Sequence, residues 1–128
     1  MFLVSVAYWI SGLIGIGIIV IGARFLLSPS TAAAGYGVPI GSVAEPAHAY
    51  LSAKGVRDIA SGLFVFVLMA GGATRLLGGL MAAATIIPIA DAIIVARHHG
   101  PKTIVYWVHG LTAGVMAVAA AILLFVPA

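Results

Sequence analysis

Apolar residues fill four long runs of the chain, and Gly, Pro or charged residues separate each run from the next. The runs extend from about Phe2 to Leu27, Ala47 to Ala70, Arg75 to Arg97 and Thr103 to Val126. Crossing a bilayer takes about 20 helical residues, which every run supplies. The pattern predicts an all-α fold: a polytopic integral membrane protein built as a four-transmembrane-helix bundle, with residues 1–128 as its single domain. The first run is not expected to be a cleavable signal peptide. It starts without Lys or Arg, its apolar core is too long, and no small-residue cleavage site follows.

The connections differ in kind. Ser28 to Pro46 is rich in Gly, Ser, Ala and Pro and is expected to be a loop, placed to lie along the bilayer surface. Gly71-Gly72-Ala73-Thr74 is a tight link that makes the second and third helices antiparallel neighbours. His98-His99-Gly100-Pro101-Lys102 forms the third link, with Pro101 suited to a helix start. Ala23-Arg24 before Pro29 is echoed by Ala96-Arg97 before Pro101. A duplicated hairpin accounts for the echo, as does the general habit of ending a span on Arg and then Pro. Small residues supply close-approach faces: Ser11, Gly12, Gly15, Gly17 and Gly22 on the first helix, and Gly78, Gly79, Ala82 and Ala83 on the third.

Composition sharpens the membrane assignment. Residues of the AVILMFWYC set make up 63% of the chain and charged residues only 7%. Soluble domains carry about 25% charged residues, so this chain could not clothe a soluble surface. The net charge of +3 comes from six basic residues, too few for a nucleic-acid-binding face. Arg24, Lys54, Arg57, Arg97 and Lys102 fall on the side of the first and third links, and Arg75 alone on the side of both termini. Five against one predicts a multi-pass protein of the cell (inner) membrane with both termini outside and those links cytoplasmic. Tyr8-Trp9 and Tyr106-Trp107 suit interfacial anchors. No cysteine is present, which excludes disulfides and thiolate ligands.

The few ionisable residues within the runs are the candidate site. Asp58, Asp91 and His109 each fall roughly 9 Å inside the same membrane face at 1.5 Å per residue. An unpaired Asp or Arg at a helix centre opposes insertion by about 2.5–3.5 kcal/mol, so these groups are expected to face inward and pair. On the second helix, Lys54, Arg57 or Asp58, and Ser61 share a face; on the fourth, Tyr106, His109 and Thr112 do. Pro88, three residues before Asp91, frees a carbonyl near Ala84 and predicts a bend. The expected polar layer is therefore Lys54, Arg57, Asp58, Asp91, Tyr106 and His109. It is either a neutralised knot that fixes helix register or the lining of a cytoplasm-facing ligand cavity.

Sharper chemistry does not fit the residues. A bis-His haem lacks a second axial ligand, since His48 sits only at the start of its helix. His98 and His99 lie in a link with only Asp91 in reach, so no metal and no cofactor are expected. The small four-helix drug/proton exchangers carry a glutamate on their first helix, and here that helix has no acid. The glycines of the first helix lack the Lys-Ser/Thr ending of a phosphate loop.

Arg24…Pro29, Gly35-Tyr36-Gly37-Val38-Pro39, Lys54-Gly55-Val56-Arg57-Asp58, Pro88…Asp91 and His109-Gly110 together carry a resemblance. Along most of its length the chain resembles a family of small, uncharacterised four-helix membrane proteins of bacteria and fungi, related to the DoxX-like group. That resemblance implies the four-helix fold and no activity. Two functions stand open. One is a non-catalytic accessory or ligand-binding subunit of a larger membrane assembly, handling lipids or other lipophilic molecules. The other is a small membrane enzyme, an isomerase or hydrolase, with Asp58 or Asp91 as acid/base, His109 as partner and Arg57 stabilising an oxyanion. Expected partners are the lipid bilayer, other membrane subunits or a second copy of the chain, and a lipophilic small molecule, but no nucleic acid.

Overall fold

The computed structural model describes residues 1–41 and 45–127. Among them the fold is all-α. Helix α1 spans Phe2–Leu27, α2 Pro29–Tyr36, α3 Glu45–Ala70, α4 Thr74–Ala84 and α5 Ile86–Arg97. A π-helix over Ile104–Gly110 then continues into α6, Leu111–Phe125. Among the described residues three helical stretches are long and apolar enough to cross a membrane: Phe2–Leu27, Thr74–Arg97 and Ile104–Phe125. The sequence pattern predicts four. Helix α3 has the length, but Lys54, Arg57 and Asp58 crowd into five of its residues and keep it outside that group.

The segment expected as a loop contains α2. Pro29 occupies its first turn, the Ala32-Ala33-Ala34 run favours helix, and Gly37 ends it at φ 108, a left-handed angle that glycine adopts without strain. Helix α2 does not stand apart from the bundle: Ala32 and Ala33 bury against Phe25, with Tyr36, Ile40 and Leu51 packed around them. The third apolar run is interrupted at Thr85, between α4 and α5. Pro88 has no N–H to give Ala84, and helix α4 ends there. Thr85 covers the break, its backbone N–H and hydroxyl both donating to the Met81 carbonyl. The chain reverses between α3 and α4 at Gly72, φ 64, where Gly71 and Ala73 donate to Val67 and Leu68 carbonyls. The carbonyl of Pro101 starts the last helix by accepting from Ile104 and Val105.

Helix α1 lies along α3, α4 lies along α6, and α1 closes the bundle against α6. The α1–α3 seam is built on glycine. A Cβ at Gly62 would stand 2.5 Å from the Gly15 carbonyl oxygen, and one at Gly55 would stand 2.6 Å from that of Gly22. On α4, a Cβ at Gly78 would meet Leu123. The main apolar core joins Val4 and Ala7 of α1, Val65 of α3, Leu77 and Met81 of α4, and Met116 to Leu123 of α6. Ser11, Gly12, Gly15 and Gly22 are buried as the close-approach residues should be, whereas Gly17, Gly79, Ala82 and Ala83 face outward. Trp9, Tyr106 and Trp107 are exposed; Tyr8 is half-buried and donates its hydroxyl to the Met69 carbonyl.

This seam leads to a direct test. Gly62→Leu forces a side chain into the Gly15 backbone and should destabilise the protein by about 1–3 kcal/mol or prevent folding. Gly79→Leu, where nothing lies within 4 Å, should melt within about 0.5 kcal/mol of the parent. Thermal unfolding in detergent compares the two.

Candidate functional site: a polar layer organised by Tyr36

Each member of the layer is placed by a local feature of its own helix. On α3 the inward residues are Gly55, Asp58, Gly62 and Val65, steps of three and four that form the seam against α1. Asp58 is on that seam and buried. Lys54, one turn earlier, pairs with it at 2.6 Å. The Lys54 ammonium also lies 4.5 Å from the centroid of the Phe25 ring and 5.5 Å from that of Tyr36, so two aromatic faces and a carboxylate share one cation. Across the bundle, Tyr36 donates its hydroxyl to Asp91 Oδ1 at 2.9 Å. His109 Nε2 lies 3.0 Å from the Tyr36 carbonyl, and the two rings tilt at 58° with centroids 5.0 Å apart.

The histidine geometry fixes a tautomer. A carbonyl can only accept, so Nε2 carries the proton and Nδ1 turns toward Asp91 Oδ2, 4.0 Å away. A second proton at Nδ1 would make an imidazolium–carboxylate pair. Among the described residues no buried side-chain nitrogen or oxygen is left without a hydrogen-bond partner. No three His, Asp or Glu side chains among them gather as metal ligands would.

Of the six expected layer residues, Lys54, Asp58, Asp91 and His109 are brought together around Tyr36, and Arg57 and Tyr106 are not. Arg57 stands beside the α3 seam rather than on it and is exposed; Ser61 donates to its carbonyl. Among the described residues its guanidinium pairs with neither Asp58 nor Asp91. Tyr106 is 67% exposed because the segment is a π-helix. Its wider turn brings residues four apart, Val105 and His109, onto one inward face and rotates a residue three before His109 away. Thr112 donates to the Val108 carbonyl and takes no part in the layer.

Tyr36 and Phe25 are the site residues that the depth arithmetic over the apolar runs does not reach. Tyr36 comes from the connecting segment, not from a run, and its trace in the sequence is the Gly35-Tyr36-Gly37 motif. A Cβ at Gly37 would stand 2.8 Å from Val95, so only glycine lets α2 end against α5 and present Tyr36 to Asp91. Burial and then the neighbouring Asp91 charge, with Asp58 beyond it, hold the Tyr36 phenol well above its ordinary pKa.

The fold and the layer define a helical protein with apolar helices of membrane-crossing length and one internal cluster of paired ionisable groups. The chain belongs to the family described as a domain of unknown function (DUF4267), which it matches over residues 15–123. No curated protein matches it, and no solved structure does.

Tyr36→Phe keeps the ring but removes a hydrogen bond to a carboxylate, and should cost about 1.5–3 kcal/mol. Tyr106→Phe should stay within about 0.5 kcal/mol of the parent. Because the folded-state phenol pKa is raised, the stabilisation is complete below the ordinary tyrosine value of 10.0 and declines as pH rises above it. Unfolding midpoints across the alkaline range should fall for the parent and fall less steeply for Tyr36→Phe.

Proposed function

We propose that this protein is a small integral membrane protein with four spans, α3 being the fourth, and that it works as a non-catalytic accessory or ligand-binding subunit of a larger membrane assembly. The molecules handled are lipids or other lipophilic compounds. The observation that carries the non-catalytic reading is direct pairing within the layer. Asp58 is held by Lys54, and Asp91 by the Tyr36 hydroxyl, so both acids of the layer are engaged within the chain. Pairing also supports α3 as a span, since Lys54 and Asp58 neutralise one another at the level where an isolated charge is costly. The subunit role draws on outward glycines: Gly17, Gly79 and Gly114 have nothing within 4 Å and leave faces open to other helices. The basic residues favour the inner membrane, with the segment around α2 and the α5 to π-helix link cytoplasmic and both termini outside. Kinship with the DoxX-like group of bacteria and fungi belongs to the same reading.

A second reading, a small enzyme with Asp91 and His109 as acid and base, has the π-helix in its favour. Such helices are rare and recur at functional sites, and this one aims His109 at Asp91.

Two variants separate the readings. Asp91→Ala removes the acceptor of the Tyr36 hydroxyl and should cost about 1–3 kcal/mol. Asp91→Asn keeps an acceptor but cannot exchange a proton at neutral pH. The subunit reading expects the Asn variant to fold, to complement a deletion and to retain the proteins and lipids that co-purify with the parent in native mass spectrometry. A folded Asn variant that keeps those partners but fails to complement supports the enzyme. Reporter fusions at the C-terminus test orientation: the expected result is activity of an exported reporter, and activity of a cytoplasm-only reporter would reverse the assignment.

A further inference from the structure

A cavity separate from the polar layer lies where α5 ends and the π-helix begins. It has a volume of about 310 Å³ and is lined by Ala96, His99, Gly100, Lys102, Val105 and Tyr106. Its lining is mixed in chemistry. Ala96 and Val105 are apolar, while His99, Lys102 and Tyr106 present an imidazole, an ammonium and a phenol, all three exposed. The backbone builds this shape. His99 adopts φ 56, a left-handed angle uncommon outside glycine, and closes α5 by donating to the Ala96 carbonyl. Gly100 follows in close contact with the Gly37 carbonyl and Val95, where a side chain has no room. The turn after α5 is thus locked against the turn after α2.

Charge identifies the occupant. The chain has six Lys and Arg against three Asp and Glu. Among the described residues Lys54 alone of the six reaches a carboxylate, and both Asp58 and Asp91 are engaged in the layer. Among the described residues neither Lys102 nor Arg97 nearby lies within 4.0 Å of a carboxylate, Glu45 at the start of α3 included. Lys102 is thus open to an anion from outside the chain. Two stretches of membrane-crossing length meet at this turn, Thr74–Arg97 ending and Ile104–Phe125 beginning. Exposed Tyr106 and Trp107 stand at the same end, in the pattern of residues that settle at headgroup level. A cavity lined by both apolar residues and cationic, hydrogen-bond-donating ones matches a molecule that joins an acyl chain to an anion.

We propose that the cavity at the α5 to π-helix turn binds the phosphate headgroup of an anionic phospholipid from the cytoplasmic leaflet. Lys102 supplies the charge, His99 and Tyr106 donate hydrogen bonds, and the acyl chain runs along Ala96 and Val105. The site rests on the membrane orientation given above but shares no residue with the Tyr36 layer. It can therefore fail while the subunit reading survives.

The test uses the full chain in detergent, titrated with phosphatidylglycerol, with phosphatidylcholine and with inorganic phosphate, and reads the unfolding midpoint. Phosphatidylglycerol should raise the midpoint more than phosphatidylcholine does. Lys102→Gln should weaken the apparent affinity for phosphatidylglycerol about fivefold, the loss of one basic contact with an anionic headgroup. Arg75→Gln, at the opposite end of the bundle, should leave it unchanged. Equal responses to the two lipids would overturn the proposal, as would equal losses in Lys102→Gln and Arg75→Gln. Inorganic phosphate reproducing the whole rise would assign the cavity to a free anion and overturn the lipid. An unshifted melt of unliganded Lys102→Gln is expected from its exposure; collapse of that variant moves the test to His99→Gln, which should show the same selective weakening.

Discussion

Everything in this molecule is arranged around the contact of α1 with α3, where backbone meets backbone at Gly15–Gly62 and Gly22–Gly55. In an apolar surrounding no water is expelled when two helices meet, so the attraction depends on how closely their atoms approach. Glycine on both sides allows the shortest approach. That approach fixes which residues of α3 face inward, and so selects Asp58 over Arg57. It also seats Phe25, at the end of α1, beneath the Lys54 ammonium. Helix α2 begins two residues after α1 ends, so the same contact sets the starting point from which Tyr36 reaches across to Asp91.

The polar layer is the electrostatic counterpart of this packing. Its charges are handled by three different devices: an ion pair within one helix turn, two aromatic faces over one ammonium, and a phenol and imidazole around one carboxylate. Tyr36 belongs to all but the first. Its hydroxyl, its carbonyl and its ring face three different neighbours, so a residue of a connecting segment joins α3 to α5 and the π-helix. The pairing of α3 with α5 is otherwise slight, and a single tyrosine performs what direct helix packing does not.

Much of this was legible in the residues, and the limits have physical causes. Long apolar runs report helices because one helix is a local property, and Pro88 reports a break because its missing N–H acts within one turn. Asp91 and His109, which simple rise per residue sets at one level, come within 4.0 Å of one another. The failures concern rotation about a helix axis, not position along it. Arg57 and Asp58 are adjacent, and only the glycine seam chooses between them. Tyr106 pairs with His109 under α-helical spacing and separates from it under π-helical spacing. No periodicity announces a π-turn, because its cause is tertiary. The Ser28–Pro46 segment reads as loop because Gly, Ser and Pro flank it, while the short helix inside owes its place to burial against Phe25.

The π-helix has a consequence for how the chain can change in length. Its seven residues, Ile104 to Gly110, hold a register that an ordinary helix would reach with a different residue count. Removing one residue there would let the segment relax to α-helix, each residue of which turns about 100° around the axis. Six α-helical residues turn the chain nearly as far as seven π-helical ones, so everything downstream keeps Met116, Ala119 and Leu123 on the face they offer to α1 and α4. Insertions and deletions in this protein are therefore unequal by location. The loss of one residue between Ile104 and Gly110 is absorbed by the change from π- to α-helix. The same loss early in α6 turns the residues after it by about 100° and carries Ala119 and Leu123 off the core face.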